Sequence, residues 1–139
     1  ARRPSPTPAQ TPPPTAAGSG AAVLVIEDEP ALAAAVAEAL RDAGYRVECA
    51  ADGEEALERL AGAVFDLVIC DLKMPRLDGP SFYRVLSERR PALARRVIFV
   101  TGDVAGTDTE RFLTETGCRW LPKPFRLNDL LRVVQDALD

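Results

Sequence analysis

Three apolar runs in this chain of 139 residues end on side chains able to do chemistry, and a fourth run leads into another. Val23-Leu24-Val25-Ile26 leads into Glu27, Asp28 and Glu29, Leu67-Val68-Ile69-Cys70 into Asp71, and Val97-Ile98-Phe99-Val100 into Thr101. Lys123 follows the shorter Cys118-Arg119-Trp120-Leu121, which a charge interrupts. The chain has no histidine, which removes Ser-His and Cys-His nucleophile pairs and imidazole metal ligands. Carboxylates, hydroxyls and lysine are left to do the work. If Glu27, Asp28 and Asp71 converge, their mutual repulsion calls for a cation or a proton. An oxygen-only ligand set favours Mg²⁺, which takes one or two carboxylates together with waters and a phosphate. A hydroxyl at Thr101 and an ammonium at Lys123 beside a metal-bound carboxylate are the donors a phosphoryl group needs for its peripheral oxygens. Taken singly these residues have plainer readings: Glu27–Glu29 as acids at a helix start, Thr101 as a strand-end hydroxyl, Lys123 as a solvated lysine. Together with Asp71 they read as a phosphate site.

These groups meet only if the elements before them lie side by side. From residue 21 the pattern alternates strands with helices: Val23–Ile26, Ala31–Ala43, Val47–Cys49, Glu54–Ala61, Phe65–Cys70, Ser81–Arg89, Val97–Val100, Thr107–Glu115, Cys118–Leu121 and Leu127–Leu138, a five-fold βα repeat. The first, third and fourth strands are apolar at successive positions, as parallel strands covered on both faces must be. The second alternates in Arg46-Val47-Glu48-Cys49 and the fifth is interrupted by charge, so these two are expected at the sheet edges. Leu32, Val36, Leu40 and Ala43 form one helical stripe, and Leu127, Leu130, Leu131, Val134 and Leu138 another, each a face for the sheet. Right-handed crossovers then lead to an α/β fold, a doubly wound five-stranded parallel sheet of order 2-1-3-4-5, the flavodoxin-like (βα)5 arrangement. Ligands of such sheets bind outside the carboxyl ends of the strands, at the switch point between the first and third. Glu27, Asp28 and Asp71 fall there.

Residues 1–20 hold half of the twelve prolines and no hydrophobic periodicity, and are expected to be a disordered Pro-rich linker, with one domain over 21–139. A chain that opens in such a linker without an initiator Met reads as a fragment of something larger. Arg2 and Arg3 are the only charges of the tail, so residues 21–139 carry 15 basic and 21 acidic side chains, a net charge of −6 that argues against nucleic-acid binding. No apolar run reaches the roughly 20 residues of a membrane span, and no secretory signal opens the chain. A cytoplasmic domain without membrane contact is expected. Cys49, Cys70 and Cys118 are odd in number and lack C-x-x-C spacing, and are expected as buried free thiols. Asp52-Gly53 reads as a turn into the second helix, and Asp78-Gly79-Pro80, with Pro75 before it, as the cap of the third.

V-L-V-I-E-D-E-P (23–30), L-V-I-C-D-L-K-M-P-R-L-D-G (67–79), V-I-F-V-T-G (97–102) and L-P-K-P-F (121–125) together resemble response-regulator receiver domains, with 30 residues from Asp71 to Thr101 and 22 from Thr101 to Lys123. The resemblance covers residues 21–139. It implies that Asp71 is the phosphoacceptor and that Glu27 and Asp28 are the acidic pair holding Mg²⁺, with Asp28 the direct ligand and the Lys73 carbonyl a backbone ligand. It further implies Thr101 as switch hydroxyl, Lys123 as the conserved-role lysine, Trp120 as the aromatic switch position and a cis Lys123-Pro124 bond. Such a domain catalyses its own phosphorylation and dephosphorylation, taking the phosphoryl group from the dimerisation domain of a histidine kinase or from a histidine phosphotransfer protein. A homodimer through the fourth helix, fifth strand and fifth helix is a further implied partner. Glu27 stands where Asp is more frequent, Trp120 replaces Tyr or Phe, Gly117–Trp120 is one residue shorter than usual and Pro122 occupies a strand position. The T-G-D at 101–103 and the short lead into L-P-K-P-F resemble receivers at the end of hybrid histidine kinases, the parent expected here.

Other readings stay open beside it. A haloacid-dehalogenase-like phosphatase also uses a strand-end Asp with Mg²⁺, but needs a second acid two residues on, where Lys73 stands. A nucleotide-binding module needs a Gly-rich turn after the first strand, where Glu27-Asp28-Glu29-Pro30 stands. A free-standing regulator and a phosphate-independent receiver-like interaction module remain. Because the chain ends with the fifth helix, output is expected through phosphotransfer or a protein surface.

Overall fold

The computed structural model describes residues 20–73, 77–102 and 107–138. The linker expected over 1–20 therefore lies almost wholly outside the described residues, as does Pro75. The elements run β1 (Ala22–Ile26), α1 (Pro30–Asp42), β2 (Arg46–Ala50), α2 (Gly53–Gly62), β3 (Leu67–Asp71), α3 (Gly79–Arg89), α4 (Pro91–Ala94), β4 (Val97–Thr101), α5 (Thr107–Thr116), β5 (Arg119–Pro122) and α6 (Leu127–Leu138). All strand pairings are parallel and the order is β2-β1-β3-β4-β5. The doubly wound 2-1-3-4-5 sheet inferred from the apolar runs is the one observed.

Every residue of β1, β3 and β4 is buried because helices cover both faces. On one face Val23, Val25, Leu67, Ile69, Ile98 and Val100 pack with Val36 and Leu40 of α1 and Leu130 and Val134 of α6. On the other, Leu24, Ile26, Val68, Cys70 and Phe99 pack with Leu60 of α2, Phe82 and Leu86 of α3 and Leu113 of α5. Continuous apolar strands are the only sequence that satisfies two such layers, since alternate side chains enter each. β2 alternates exposed and buried positions and β5 has no buried residue, as edge strands should. Pro122 ends β5, where the missing N–H costs a sheet edge little.

Helix starts follow local chemistry. Pro30 opens α1, Asp52 Oδ1 accepts from Glu55 N at 2.9 Å, and Asp78 Oδ1 accepts from Ser81 N at 2.9 Å with Pro80 in the first turn. The short α4 has no counterpart in the sequence reading. Four residues cannot display a helical period, and its start is marked by Pro91 alone.

Two glycines press the loops against the carboxyl edge of the sheet. Gly53 N donates to Leu77 O at 3.2 Å, and Gly79 N donates to Leu72 O at 3.1 Å, one residue beyond Asp71. A Cβ on Gly79 would stand 2.8 Å from Leu72 Cα and 3.0 Å from the Asp71 carbonyl oxygen, both backbone atoms that cannot swing aside. Gly79→Ala is therefore expected to lower stability by about 1–3 kcal/mol, read as a lower urea midpoint at unchanged slope. Gly62→Ala, with open space at its Cβ, is the control and should leave the midpoint nearly where it was. Equal midpoints for the two variants would show that the close approach at Gly79 is not needed.

Candidate functional site

Sheet register places the site before any side chain is considered. Ile26 is paired with Cys70, so Glu27 and Asp71 stand one step further along neighbouring strands. Asp71 is paired with Val100 and Thr101 with Pro122, which sets Thr101 and Lys123 on the same carboxyl edge. Backbone hydrogen bonds run past the strand ends: Glu27 N donates to Ala50 O at 3.0 Å, Leu72 N to Val100 O at 3.1 Å, and Lys123 N to Thr101 O at 2.7 Å. The edge is thus held by the ladder itself, and the Lys123-Pro124 bond that follows is cis, as expected.

The Lys123 ammonium donates to Asp71 Oδ2 at 2.9 Å and pairs with Glu27 Oε1 at 3.1 Å. The opposite oxygens of the two acids accept backbone N–H groups, Asp71 Oδ1 from Lys73 at 3.1 Å and Glu27 Oε2 from Glu29 at 3.1 Å. Ligand oxygens of Glu27, Asp28 and Asp71 all lie within 4.8 Å of one another. Glu27 and Asp71 are only 7% and 5% exposed, whereas Asp28 is open to solvent. Burial pushes the Glu27 carboxyl above its ordinary value, against the pull of the Glu29 N–H and Lys123 and with the help of the Asp71 charge. Burial alone would lower Lys123, but its hydrogen bonds to Asp71 and Glu27, and their charges, outweigh it and leave the ammonium raised. Three carboxylates against one ammonium leave a deficit equal to one divalent cation, and an all-oxygen donor set suits a hard one.

Of the residues singled out from the sequence, Glu27, Asp28, Asp71 and Lys123 form this cluster, with the Lys73 backbone joined to it. Lys73 itself is exposed, and Thr101 is 2% exposed at the end of β4. Trp120 does not reach the cluster. Its partner across the β4–β5 pairing is Phe99, so it shares the face that carries Phe99 and Thr101, and the residue is 39% exposed beside Leu113 and Cys118.

Sequence reasoning missed what lies under that face. Phe99 of β4, Tyr83 of α3 and Phe112 of α5 form a ring of edge-to-face contacts, with centroids 5.1–5.8 Å apart. The Cys118 thiol reaches the Tyr83 hydroxyl at 3.8 Å. The three rings come from three elements, and no spacing along the chain announces their meeting. All three cysteines are free, as expected, but only Cys70 is fully buried; Cys49 and Cys118 are half-buried because they lie in or beside edge strands. Burial lifts the Cys70 thiol well above its ordinary value, which agrees with its reading as core beside Asp71.

A family model described as "Response regulator receiver domain" matches residues 23–135. The chain is 36% identical over 121 residues to the sensor kinase CckA of Brucella abortus, covering 86% of this chain and 13% of that protein. It also spans less than half the length of the transcriptional regulators it matches. Among solved structures, it resembles the chemotaxis protein CheY4 of Vibrio cholerae with a TM-score of 0.78 and 32% identity, covering 86% of this chain and 100% of that one. It also resembles the receiver domain of sensor histidine kinase PA1611 of Pseudomonas aeruginosa, solved with a magnesium ion coordinated in its active-site cleft, with a TM-score of 0.75, 31% identity and coverage of 86% and 98%.

The shared ammonium sets the pH dependence of the site. Lys123 is raised from 10.5, so its contribution to stability is complete below that value and is lost as the pH climbs through the folded one. Glu27 is raised from 4.5, so its own contribution is present below that value and lost as the pH rises through the folded one, leaving Lys123 to offset the buried charge at neutrality. In chelator at pH 7, Lys123→Met is expected to cost about 1–3 kcal/mol. The gap to the wild type should narrow as pH falls through the carboxylate range and again as it passes the lysine value. Urea midpoints across pH give the measurement; a gap independent of pH would remove the electrostatic explanation.

Proposed function

The chain belongs to the response regulator receiver domain family, and from that premise we propose that Asp71 accepts a phosphoryl group from a phosphohistidine in two-component or phosphorelay signalling. The observation that carries this reading is the Lys123 ammonium bridging Asp71 and Glu27 at 2.9 and 3.1 Å, with Asp28 beside them at the carboxyl edge. In the transfer a carboxylate oxygen of Asp71 bonds to phosphorus as the phosphorus–nitrogen bond of the donor breaks. The imidazole leaves with the electron pair and takes up a proton, and an acyl phosphate remains on Asp71. The Lys73 N–H and the Lys123 ammonium hold the carboxylate from both sides, which fixes its plane before the donor arrives. Mg²⁺ would fit the donor set, where Asp28, Asp71, the Lys73 carbonyl and Glu27 would hold it, and it would supply the positive charge that lets two anions approach. Lys123 offsets the charge that remains, and the Thr101 hydroxyl donates to a phosphoryl oxygen.

The same residues carry the response. Drawing Thr101 towards Asp71 would open space on the face it shares with Phe99 and Trp120, and the half-exposed Trp120 is the side chain placed to turn into it. The surface of α5, β5 and α6 then changes, a local electrostatic event read at a distance. Exposed Trp120 and Leu127 make that surface the place for a homodimer or an effector to dock. The proposed donors are a histidine kinase dimerisation domain or a histidine phosphotransfer protein. A hybrid sensor kinase is the proposed parent, supported by the sensor kinases among the relatives. No helix among the described residues is long and apolar enough to cross a membrane.

Intact mass after incubation with acetyl phosphate and Mg²⁺ tests the assignment. One added phosphoryl group of about 80 Da is expected in the wild type, none in Asp71→Ala, and none with the metal chelated. Beryllofluoride with Mg²⁺ is expected to lower acrylamide quenching of Trp120. An adduct that persists in Asp71→Ala, or none in the wild type, overturns the phosphoacceptor role.

A further inference from the structure

At the amino edge of the sheet, the end of the strands away from Asp71, a hollow of about 690 Å³ opens between the segment before β3 and the α3–α4–β4 connection. Arg89, Arg90, Arg95 and Arg96 line it, against a single acid, Asp66. The fold uses two of these charges. Arg90 donates to the Leu60 carbonyl at 2.6 Å and so closes the carboxyl end of α2, and Asp66 Oδ2 accepts from Ala22 N at 2.8 Å, the first residue of β1. Arg89, Arg95 and Arg96 are exposed and have no ion pair or side-chain hydrogen bond among the described residues. Three unpartnered guanidiniums are thus gathered on one rim in a chain whose residues 21–139 carry net charge −6.

The rim is also apolar in places. Val64 is 78% exposed, the most exposed large apolar side chain described, and it stands between this hollow and a second of about 540 Å³ on its other side. Pro91 and Ala92 add exposed aliphatic surface opposite.

We propose that this arginine-rimmed hollow docks an acidic, aliphatic-containing polypeptide segment of a partner protein, at the opposite end of the sheet from Asp71. Guanidinium groups engage carboxylates through paired hydrogen bonds, and Val64 offers the aliphatic contact such a segment can use. A nucleotide or nucleic acid fits less well. The one aromatic ring in the lining, Phe65, is buried, so no exposed ring can stack a base. A partner held here leaves the carboxyl edge open, so docking and phosphoryl transfer can proceed together.

Fluorescence anisotropy with a fluorescein-labelled Glu-Leu repeat peptide tests this on the full chain. Saturable binding is expected, weaker by roughly tenfold or more in Arg89→Glu/Arg95→Glu/Arg96→Glu. It should weaken also in Val64→Asp, an exposed position whose change leaves the fold intact. Affinity should fall steeply as the screening length drops from about 10 Å at 0.1 M salt to about 3 Å at 1 M. Arg132→Glu on α6 and Asp71→Asn are expected to bind as the wild type does, the latter separating this surface from the phosphoacceptor role. If the triple variant fails to fold by circular dichroism, Arg95→Gln/Arg96→Gln replaces it. No saturable binding, or unchanged affinity in the arginine and Val64 variants, overturns the proposal; so does displacement of the peptide by ATP at lower concentration than by unlabelled peptide, which would assign the hollow to a nucleotide.

Discussion

The ammonium of Lys123, held between Asp71 and Glu27, is the interaction on which the carboxyl edge of this domain depends. Two nearly buried carboxylates and a third beside them would repel one another where water is scarce, and burial, with the Asp71 charge adding to it, raises the Glu27 carboxyl above its ordinary value. One positive charge, itself raised because the two acids outweigh its burial, relieves part of the repulsion and leaves room for a divalent cation. The site is therefore built short of neutrality. That deficit is the charge that a divalent cation would make good, and it is what the proposed phosphoryl transfer would draw on.

Holding such a cluster requires a rigid frame, and the central strands supply it. β1, β3 and β4 are buried along their whole length between two helical layers, so the positions of Glu27, Asp71 and Thr101 follow from main-chain pairing. The carboxyl edge can carry poorly compensated charge because stability is drawn from apolar layers below it. The glycines at 53 and 79 let neighbouring loops close on that edge, where a side chain would force the backbone away. On the α5 side an aromatic ring cluster lies beneath and a half-exposed Trp120 above.

The two ends of the sheet differ in charge. The carboxyl edge gathers Glu27, Asp28 and Asp71, while the amino edge gathers Arg89, Arg95 and Arg96 around an aliphatic ridge at Val64. Parallel strands enforce this separation, because every loop entering a strand is at one end and every loop leaving it is at the other. Binding at one end need not obstruct chemistry at the other.

Much of this was legible in the chain. Val23–Ile26, Leu67–Cys70 and Val97–Val100 are apolar at successive positions, and only central strands covered on both faces tolerate that, so strand order and the location of Glu27, Asp28, Asp71, Thr101 and Lys123 followed from pattern alone. The expected helix stripes were met in Val36, Leu40, Leu130 and Val134, but Leu127, expected on the same stripe, is exposed at the start of α6. Other features were not legible. The short α4 is too brief to show a period, and the ring cluster of Tyr83, Phe99 and Phe112 joins three elements distant in sequence. That Lys123 bridges Asp71 and Glu27, that Trp120 is partly exposed and that arginines 89, 95 and 96 lack side-chain partners among the described residues depend on side-chain distances across the fold. Periodicity and residue type determine which surfaces must be buried and which groups stand at strand ends. Only the packed tertiary structure decides which charges are paired and which are left for a ligand, because Coulomb energy and desolvation depend on ångström separations that spacing along a chain does not specify.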